Sequence, residues 1–410
     1  MNLTRRRLLG SAALGAVGAA SPSGRARAQR PVIRVGVIND QSGPYRDLNG
    51  VTSVICTRQA VQEWGNHGFD IEVLSADHQN KPDIAASIVK KWIDQDGVDV
   101  VQDGAASSAA LVMTNIVREK NKVFLCTSTA TSDLTGKACT PNTIHWVFDT
   151  FMVAKSTTAA ITRQGGDAWF FITPNYAFGQ ALQRDGSRFV TEAGGKVVGA
   201  NVYPFPETSD FSGPLLQGKA SGAKVIGFAN AGADLVNCVK QAHEFGIVQG
   251  GQRLAALLAY DTDIRAIGLE IAQGLVMSLP YYWDLNDRTR AFNDRIKPKV
   301  TIWPNMAQAG NYSSLLHYLK VVASIGPAAA KADGAATVAR MKAMPTDDDC
   351  FGSGGVIRED GRKIHPCYLF EAKKPSESRH DWDLLKQVGM TPAEQAFRPL
   401  SEHACPLLKG

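Results

Sequence analysis

Polar and aromatic side chains follow several short apolar runs in the sequence, and side chains of these types could hold a small ligand. The segments concerned are residues 39–45, 103–108, 126–132, 173–179, 230–234 and 260–263. If the runs are parallel strands, such loops meet at the carboxyl edge of a sheet, where open α/β sheets bind ligands. Ser107 opens a predicted helix, and the free amides of a helix start can seat a carboxylate. Its hydroxyl would equally suit a helix cap.

The residue spacings that mark common enzymes are absent from the sequence. It has no G-x-S-x-G, no G-x-x-x-x-G-K-[ST] and no H-E-x-x-H, and its eight histidines stand singly. We therefore predict that the protein is not an enzyme and has no catalytic residue, metal or cofactor. A secreted hydrolase, whose serine and histidine meet only in space, is the competing hypothesis.

The loops are positioned by an alternation of short apolar runs and longer helical patterns. Residues 32–38 are apolar at nearly every position, which is typical of a parallel strand covered on both faces. Further strands are predicted at 71–74, 98–101, 123–125, 168–172, 196–202, 224–228 and 253–258, with helices between them. This order predicts an α/β protein with two doubly wound parallel-sheet lobes.

The last third of the sequence changes pattern, and this sets the predicted lobe boundaries. Helices within 286–343 are expected to return to the first lobe, and the tail is expected to complete the second. Lobe 1 is then 30–148 plus 278–345, and lobe 2 is 149–277 plus 346–410. Residues 355–358 and 367–370 are predicted to pair as a hairpin.

Residues 1–28 have the composition of an export signal. Three arginines at 5–7 precede a 13-residue run of apolar and small residues at 8–20, and Ala-Arg-Ala stands at 26–28. The arginines indicate the twin-arginine route. The run is shorter than the roughly 20 residues that a membrane helix needs. We predict cleavage near Ala28, a periplasmic location and no later membrane span.

The formal net charge of +5 resides in this leader. Its five arginines are matched by no acid, which leaves 39 basic and 39 acidic residues from Gln29 onward. A chain without an excess of basic residues lacks the net positive charge that favours binding to nucleic acid, so we expect no nucleic-acid partner.

Seven cysteines lie beyond the leader, and none forms a C-x-x-C pair. Cys350 and Cys367 bracket the predicted hairpin and are one candidate disulfide, and Cys139 with Cys405 is the other. Cys56 and Cys238 fall within helical patterns and are expected to be buried thiols.

From residue 33 to the tail, the sequence resembles the type I periplasmic solute-binding proteins of ATP-driven importers, in the branched-chain amino acid and amide group. The segments that carry the resemblance are DHQNKP at 77–82, TSDLTGK at 131–137, PNYAFGQ at 174–180, YWD at 282–284 and QAGNY at 308–312. The resemblance implies two lobes joined by a three-segment hinge, which close on a small ligand. It also implies an ABC permease of the inner membrane as partner, and we expect a monomer.

The resemblance implies roles for individual residues as well. The carboxylate positions fall on Ser107 and on the turn at 128–130, where Ala130 stands in place of a second hydroxyl. Aromatic walls fall on the segment 176–178, and the acid that meets an amino group falls near Asp261. With the loop aromatics and amides, the predicted ligand-binding residues are Tyr45, Ser107, Ser128, Thr129, Tyr176, Phe178, Asn230, Asp261 and Tyr281.

The predicted ligand is a small carboxylate similar to a branched-chain amino acid. An aromatic acid or another small carboxylate, carried in the same transport role, is the alternative. The ligand-sensing lobe of a receptor is a further alternative, but it would require an output segment that the sequence does not predict.

Overall fold

The computed structural model describes residues 30–408, so the predicted export signal lies outside the described residues. The first half is built on a five-stranded parallel sheet of order β2-β1-β3-β4-β5. Its elements are β1 (Val32–Asn39), α1 (Gly50–Trp64), β2 (Asp70–Asp77), α2 (Pro82–Asp94), β3 (Val100–Asp103), α3 (Ser107–Glu119), β4 (Val123–Cys126) and β5 (Thr143–His145).

Strand β1 lies inside this sheet because both of its faces are covered. Val35 and Val37 are fully buried. Between them, Gly36 leaves room for the indole of Trp92 on α2, since a Cβ at this position would lie 2.5 Å from Trp92 Cε3. Glycine is therefore needed for α2 to pack this close to the sheet.

The second half repeats the same arrangement. Its four-stranded parallel sheet has the order β7-β6-β8-β9, which matches the order of the first four strands of the first sheet. The elements are α4 (Thr150–Arg163), β6 (Ala168–Pro174), α5 (Ala177–Glu192), β7 (Lys196–Tyr203), α6 (Ser212–Ala220), β8 (Val225–Phe228), α7 (Ala233–Glu244), β9 (Arg253–Ala256), α8 (Asp261–Ile267) and α9 (Leu269–Ala272). The two parallel sheets confirm the predicted fold class.

The remaining elements pack on both halves. They are β10 (Val276–Leu279), α10 (Asp287–Ile296), α11 (Met306–Ile325), α12 (Pro327–Ala332), α13 (Gly334–Lys342), β11 (Thr346–Asp348), β12 (Gly352–Ile357), β13 (Lys363–Ile364), β14 (Cys367–Ala372), β15 (Leu385–Thr391) and α14 (Ala393–Ala396). Helix α11 lies on the first sheet, where Gln102 Nε2 on β3 donates to the Asn311 carbonyl at 2.6 Å. The exact lobe boundaries stay a prediction.

The predicted hairpin is wrong in its pairing. Strand β12 pairs with the short β13, whereas β14 pairs antiparallel with β10 and β15. Consequently Cys350, in the turn between β11 and β12, and Cys367, at the start of β14, are free and buried rather than joined. The structure does join Cys139 to Cys405. Cys56 and Cys238 are buried free thiols, as expected.

Membrane-spanning helices and metal-binding clusters are both absent from the part of the chain that the structure describes. No helix within 30–408 has the length and apolar character needed to cross a bilayer. In the same range, histidine, cysteine and acidic side chains do not gather in groups of three or more that could hold a metal ion.

Candidate ligand-binding site

A small cavity lies where the carboxyl ends of the two parallel sheets face each other. Each of the six loops singled out in the sequence contributes to it. Twelve residues line it: Tyr45, Leu48, Asn49, Ala106, Ser107, Ser128, Ala130, Tyr176, Phe178, Ala231, Leu258 and Tyr260. Within this lining there is no carboxylate and no cationic side chain.

The first sheet presents the start of helix α3 to the cavity. Ala106 occupies the N-cap position with a φ of 64°, and no side chain caps the helix. Ser107 Oγ instead accepts a hydrogen bond from the Thr131 amide at 3.2 Å, which ties α3 to the neighbouring loop. An uncapped helix start beside a hydroxyl can bind an anion, because its amides and the helix dipole both favour negative charge.

Ser128, which follows β4, stands over a buried hydrogen-bond network. Beneath it, Asp103 accepts hydrogen bonds from Asn39 Nδ2 at 2.8 Å and Asn311 Nδ2 at 3.2 Å. Burial raises the pKa of the Asp103 carboxyl, and hydrogen bonds that include one from Ser128 partly offset the shift. The network fixes the backbone around Ser128, whose amide approaches the Asp103 carbonyl oxygen at 3.5 Å.

Tyr45 is held by the loop that follows β1. The buried Asp40 carboxylate accepts hydrogen bonds from the amides of Gly43 at 2.7 Å and Tyr45 at 2.8 Å, and from Asn80 Nδ2 at 2.6 Å. The hydroxyl of Tyr45 then meets that of Tyr176, from the second half, at 2.5 Å. The pair joins the two sides of the cavity.

Aromatic rings form the opposite side. Tyr176 stacks on Phe205 with ring centroids 4.5 Å apart, and Tyr45 stacks on the same Phe205 at 5.5 Å. Phe178 lies on the first turn of α5, followed by Gly179, where a Cβ would collide with the Pro174 carbonyl oxygen. Only glycine lets α5 begin this close to the end of β6, and this start sets the positions of the two rings.

Next to the loop that holds Tyr45, the two halves also meet at Gly232. This residue has a φ of 63°, and a Cβ there would lie 2.8 Å from the Pro44 carbonyl oxygen and 3.0 Å from Tyr45 Cδ1. The next residue, Ala233, donates its amide to the same carbonyl at 3.2 Å. Glycine is therefore required both by the backbone conformation and by the neighbouring loop.

Five of the nine predicted ligand-binding residues line the cavity, namely Tyr45, Ser107, Ser128, Tyr176 and Phe178. The other four are buried elsewhere, so a ligand role for them stays a prediction. Thr129 donates its hydroxyl to the Gly104 carbonyl. Asn230 Nδ2 contacts Cys238 Sγ at 3.4 Å. Tyr281 packs edge-on against Phe292, with ring centroids 6.2 Å apart.

Asp261, the fourth of these, opens α8 with a side chain that is only 2% exposed. One of its oxygens accepts a hydrogen bond from the Thr262 amide at 3.1 Å, and the other has no partner within residues 30–408. Burial raises its pKa to about 7. The pKa of Asp263 is raised to about 8 by burial as well. The residue that faces the cavity at this point is the neighbouring Tyr260.

Sequence reasoning missed several lining residues. Leu48, Ala231 and Leu258 carry no chemical signal that separates them from core residues. Tyr260 lies in the predicted binding loop at 260–263, one position before Asp261, the acid predicted to bind the ligand. Asn49 resembles a helix cap, which conceals its place in the cavity.

Comparison with known proteins places this fold in a family. The sequence model of the periplasmic binding protein family matches residues 32–378. A periplasmic binding protein of Burkholderia mallei is 42% identical, with 92% of this chain and 99% of that chain covered and a TM-score of 0.88. No curated protein matches the sequence.

Two further solved structures extend the likeness. A branched-chain amino acid ABC transporter periplasmic ligand-binding protein of Burkholderia xenovorans is 36% identical over 92% of this chain and 99% of that chain, with a TM-score of 0.80. An ABC transporter solute-binding protein of R. palustris in complex with benzoate is 20% identical over the same shares, with a TM-score of 0.79, and shows likeness of fold alone. The resemblance seen in the sequence is confirmed, and the chain belongs to the periplasmic binding proteins.

Proposed function

We propose that the protein is the extracytoplasmic solute-binding component of an ABC uptake system and that its ligand is a small aromatic carboxylate. The observation that carries this proposal is the uncharged lining of the cavity between the two sheet edges. Hydroxyls and a helix start lie on one side of it, and aromatic rings lie on the other.

The polar side of the cavity suits a carboxylate without a cationic partner. The amides at the start of α3 and the hydroxyls of Ser107 and Ser128 are neutral donors, and hydrogen bonds from neutral donors to a carboxylate are strong. The aromatic side suits a flat ring, because Phe178 and Tyr260 offer apolar faces of the same kind. One ring and one carboxylate together match both sides.

An α-ammonium group lacks a counterpart among the lining residues. Within the described lining no acid is present to meet it, and burying an unpaired ammonium is costly. Of the relatives, the one that is 36% identical is named for branched-chain amino acids, and one that shares the fold holds benzoate.

An amino acid is the second candidate, and one observation favours it. Asp261 lies directly after the lining residue Tyr260, and one of its carboxylate oxygens has no partner within residues 30–408. A modest turn of α8 would bring this acid to the cavity. In this case an amino acid would bind better than the matching acid without the amino group.

The transport role completes the proposal. Closure of lobe 1 (30–148 plus 278–345) on lobe 2 (149–277 plus 346–410) would trap the ligand, and the closed monomer would deliver it to the permease. The protein would act after export and removal of the leader near Ala28, and it would bind without chemical conversion. Contacts that form only on closure, such as Tyr45 with Tyr176, would bias the motion.

A thermal-shift panel on ligand-free protein tests the proposal. Benzoate-type acids, at 100 times their dissociation constant, should add about 2.7 kcal/mol to the free energy of unfolding. Benzamide and benzyl alcohol, which lack the carboxylate, should add little. Stabilisation by leucine without stabilisation by any aromatic acid would favour the second candidate, and no response to either class would contradict both.

A further inference from the structure

Asn49 occupies a helix-capping position without capping the helix. It precedes α1, yet its side chain accepts no hydrogen bond from that helix. By contrast, Asn286 caps α10 by accepting from the Thr289 amide at 3.1 Å, and Asn305 caps α11 by accepting from the Ala307 amide at 2.9 Å. Asparagine at this position normally caps the helix. The side-chain amide of Asn49 does not, so it is available to another partner.

The backbone of Asn49 is fixed on both sides. Its amide donates to the Tyr45 carbonyl at 3.1 Å, and its carbonyl accepts from Gln308 Nε2 at 3.0 Å and from the Ser53 amide at 3.2 Å. The side-chain amide is thus the part of the residue that is left to meet a ligand.

The side-chain amide of Asn49 is buried and unsatisfied. The residue is 2% exposed and lines the cavity, and its Nδ2 has no acceptor among residues 30–408. Buried polar groups in native proteins are almost always paired, and an unpaired donor is costly. A hydrogen-bond acceptor on the ligand would remove this cost.

The strand order relates Asn49 to the two serines of the cavity. Strands β1, β3 and β4 are neighbours in the first sheet, and they lead to Asn49, Ser107 and Ser128 in that order. Asn49, Ser107 and Ser128 all line the same cavity, so one small ligand can contact the two serines and Asn49 together. An aromatic acid with an oxygen on its ring carries a second acceptor, apart from its carboxylate.

We propose that Asn49 is a specificity-determining residue that donates its amide to a ring oxygen of an aromatic carboxylate. This inference rests on the proposed function and deepens it, because it selects acids that carry a hydroxyl or similar oxygen on the ring. An unsubstituted acid fills the same cavity but leaves Nδ2 unpaired.

Isothermal titration of ligand-free protein tests the proposal, with benzoate and 2-, 3- and 4-hydroxybenzoate as probes. The wild-type protein should bind at least one hydroxybenzoate more tightly than benzoate. The Asn49→Ala variant should lose about tenfold in affinity for that hydroxybenzoate and less than twofold for benzoate. Equal losses for both acids, or no loss for either, would overturn the proposal.

A matched control separates recognition from folding. Asn286→Ala removes an asparagine that does cap its helix and lies outside the cavity lining, so it should lower the melting temperature and leave both affinities unchanged. Asn49→Ala should leave the melting temperature of the ligand-free protein unchanged or higher. Failure of the wild-type protein to bind any aromatic acid would contradict the proposed function and this inference together. Binding that does not depend on Asn49 would contradict the inference alone.

Discussion

The two sides of the cavity carry different kinds of side chain. The side from the first sheet offers donors, namely Asn49, Ser107 and Ser128, and a buried network around Asp103 holds this side in place. The side from the second sheet offers the rings of Tyr176 and Phe178. The donors of the first side are positioned by helix starts and turns. The rings of the second side are positioned by ring stacking and by a glycine contact at the start of α5.

This difference indicates that the two sides recognise different properties of the ligand. Hydrogen bonds have a direction and an optimal length, so the first side selects the charge and orientation of the ligand. Aromatic surface is less directional and contributes mainly by its area, so the second side selects shape and supplies much of the affinity. Each half alone would bind weakly, and a closed protein combines both.

The most severe test blocks the approach of the two sides. Gly232→Ala places a Cβ against the Pro44 carbonyl and the Tyr45 ring, and closure cannot then be completed. We expect about a 100-fold loss of affinity, roughly 2.7 kcal/mol. Titration calorimetry, with small-angle scattering to follow closure, measures the effect.

Gly222→Ala is the matched control for this variant. Gly222 has a similar φ of 75°, but a Cβ added there would have no neighbour within 4 Å. The substitution should lower the unfolding free energy by about 1 kcal/mol through backbone strain and leave affinity unchanged. Equal losses of affinity in both variants would show that strain, and not the contact between the two sides, is responsible.

The next test removes the aromatic side in two steps. Tyr176→Phe deletes only the hydroxyl that meets Tyr45 and should weaken binding a few fold. Tyr176→Ala also deletes the ring stacked on Phe205, and we expect about a 30-fold loss. If the two variants lost affinity equally, the hydroxyl pair and not the ring area would be the main contribution of this side.

A smaller effect is expected on the polar side, where two adjacent hydroxyls separate recognition from folding. Ser128→Ala should weaken a carboxylate about tenfold, because it removes one donor to a charged group, and should also lower the melting temperature through its lost hydrogen bond with Asp103. Thr129→Val should mainly lower the melting temperature, since the Thr129 hydroxyl bonds to the Gly104 carbonyl. The opposite pattern, with affinity lost only in Thr129→Val, would move the carboxylate seat by one residue.

The smallest effect on affinity is expected at Asp261. Asp261→Asn should leave aromatic acid binding unchanged, while the second candidate function requires a large loss for an amino acid. Stability should respond to pH instead. Because burial raises the folded-state pKa to about 7, the ionised carboxyl destabilises the fold.

The sign of this pH effect is clear. The wild-type protein should lose stability relative to Asp261→Asn as the pH rises from about 4 to about 7, by a difference of the order of 4 kcal/mol. Below this range both states bind the proton and the two proteins should converge. Chemical unfolding at pH 4, 5.5 and 7.5 checks the trend, and parallel curves would contradict the burial of the acid.

Much of the site was predictable from strand order. Parallel strands place all their carboxyl ends at one edge, so apolar runs followed by polar loops were enough to identify the six segments that meet at the cavity. The ends of the buried strands β1, β4 and β6 were predicted to within two residues, because buried strands are almost continuously apolar.

The remainder depends on contacts that residue types do not reveal. Tyr260 faces the cavity and Asp261 does not, because the start of α8 turns successive side chains in different directions. Cys367 begins a strand that passes the nearby β13 and pairs with β10, about 90 positions earlier in the chain. No short-range sequence pattern predicts the pairing of two strands that are so far apart in the chain.

The disulfide between Cys139 and Cys405 sets an order for biosynthesis. Its two cysteines are 266 positions apart, so the bond cannot form until residue 405 has been synthesised. Until the bond forms, the tail is held by weaker contacts, such as the 3.0 Å hydrogen bond from Arg398 to Ser132. The bond would therefore join two distant parts of the chain that packing has brought together, and the number of free thiols per chain would report whether it has formed.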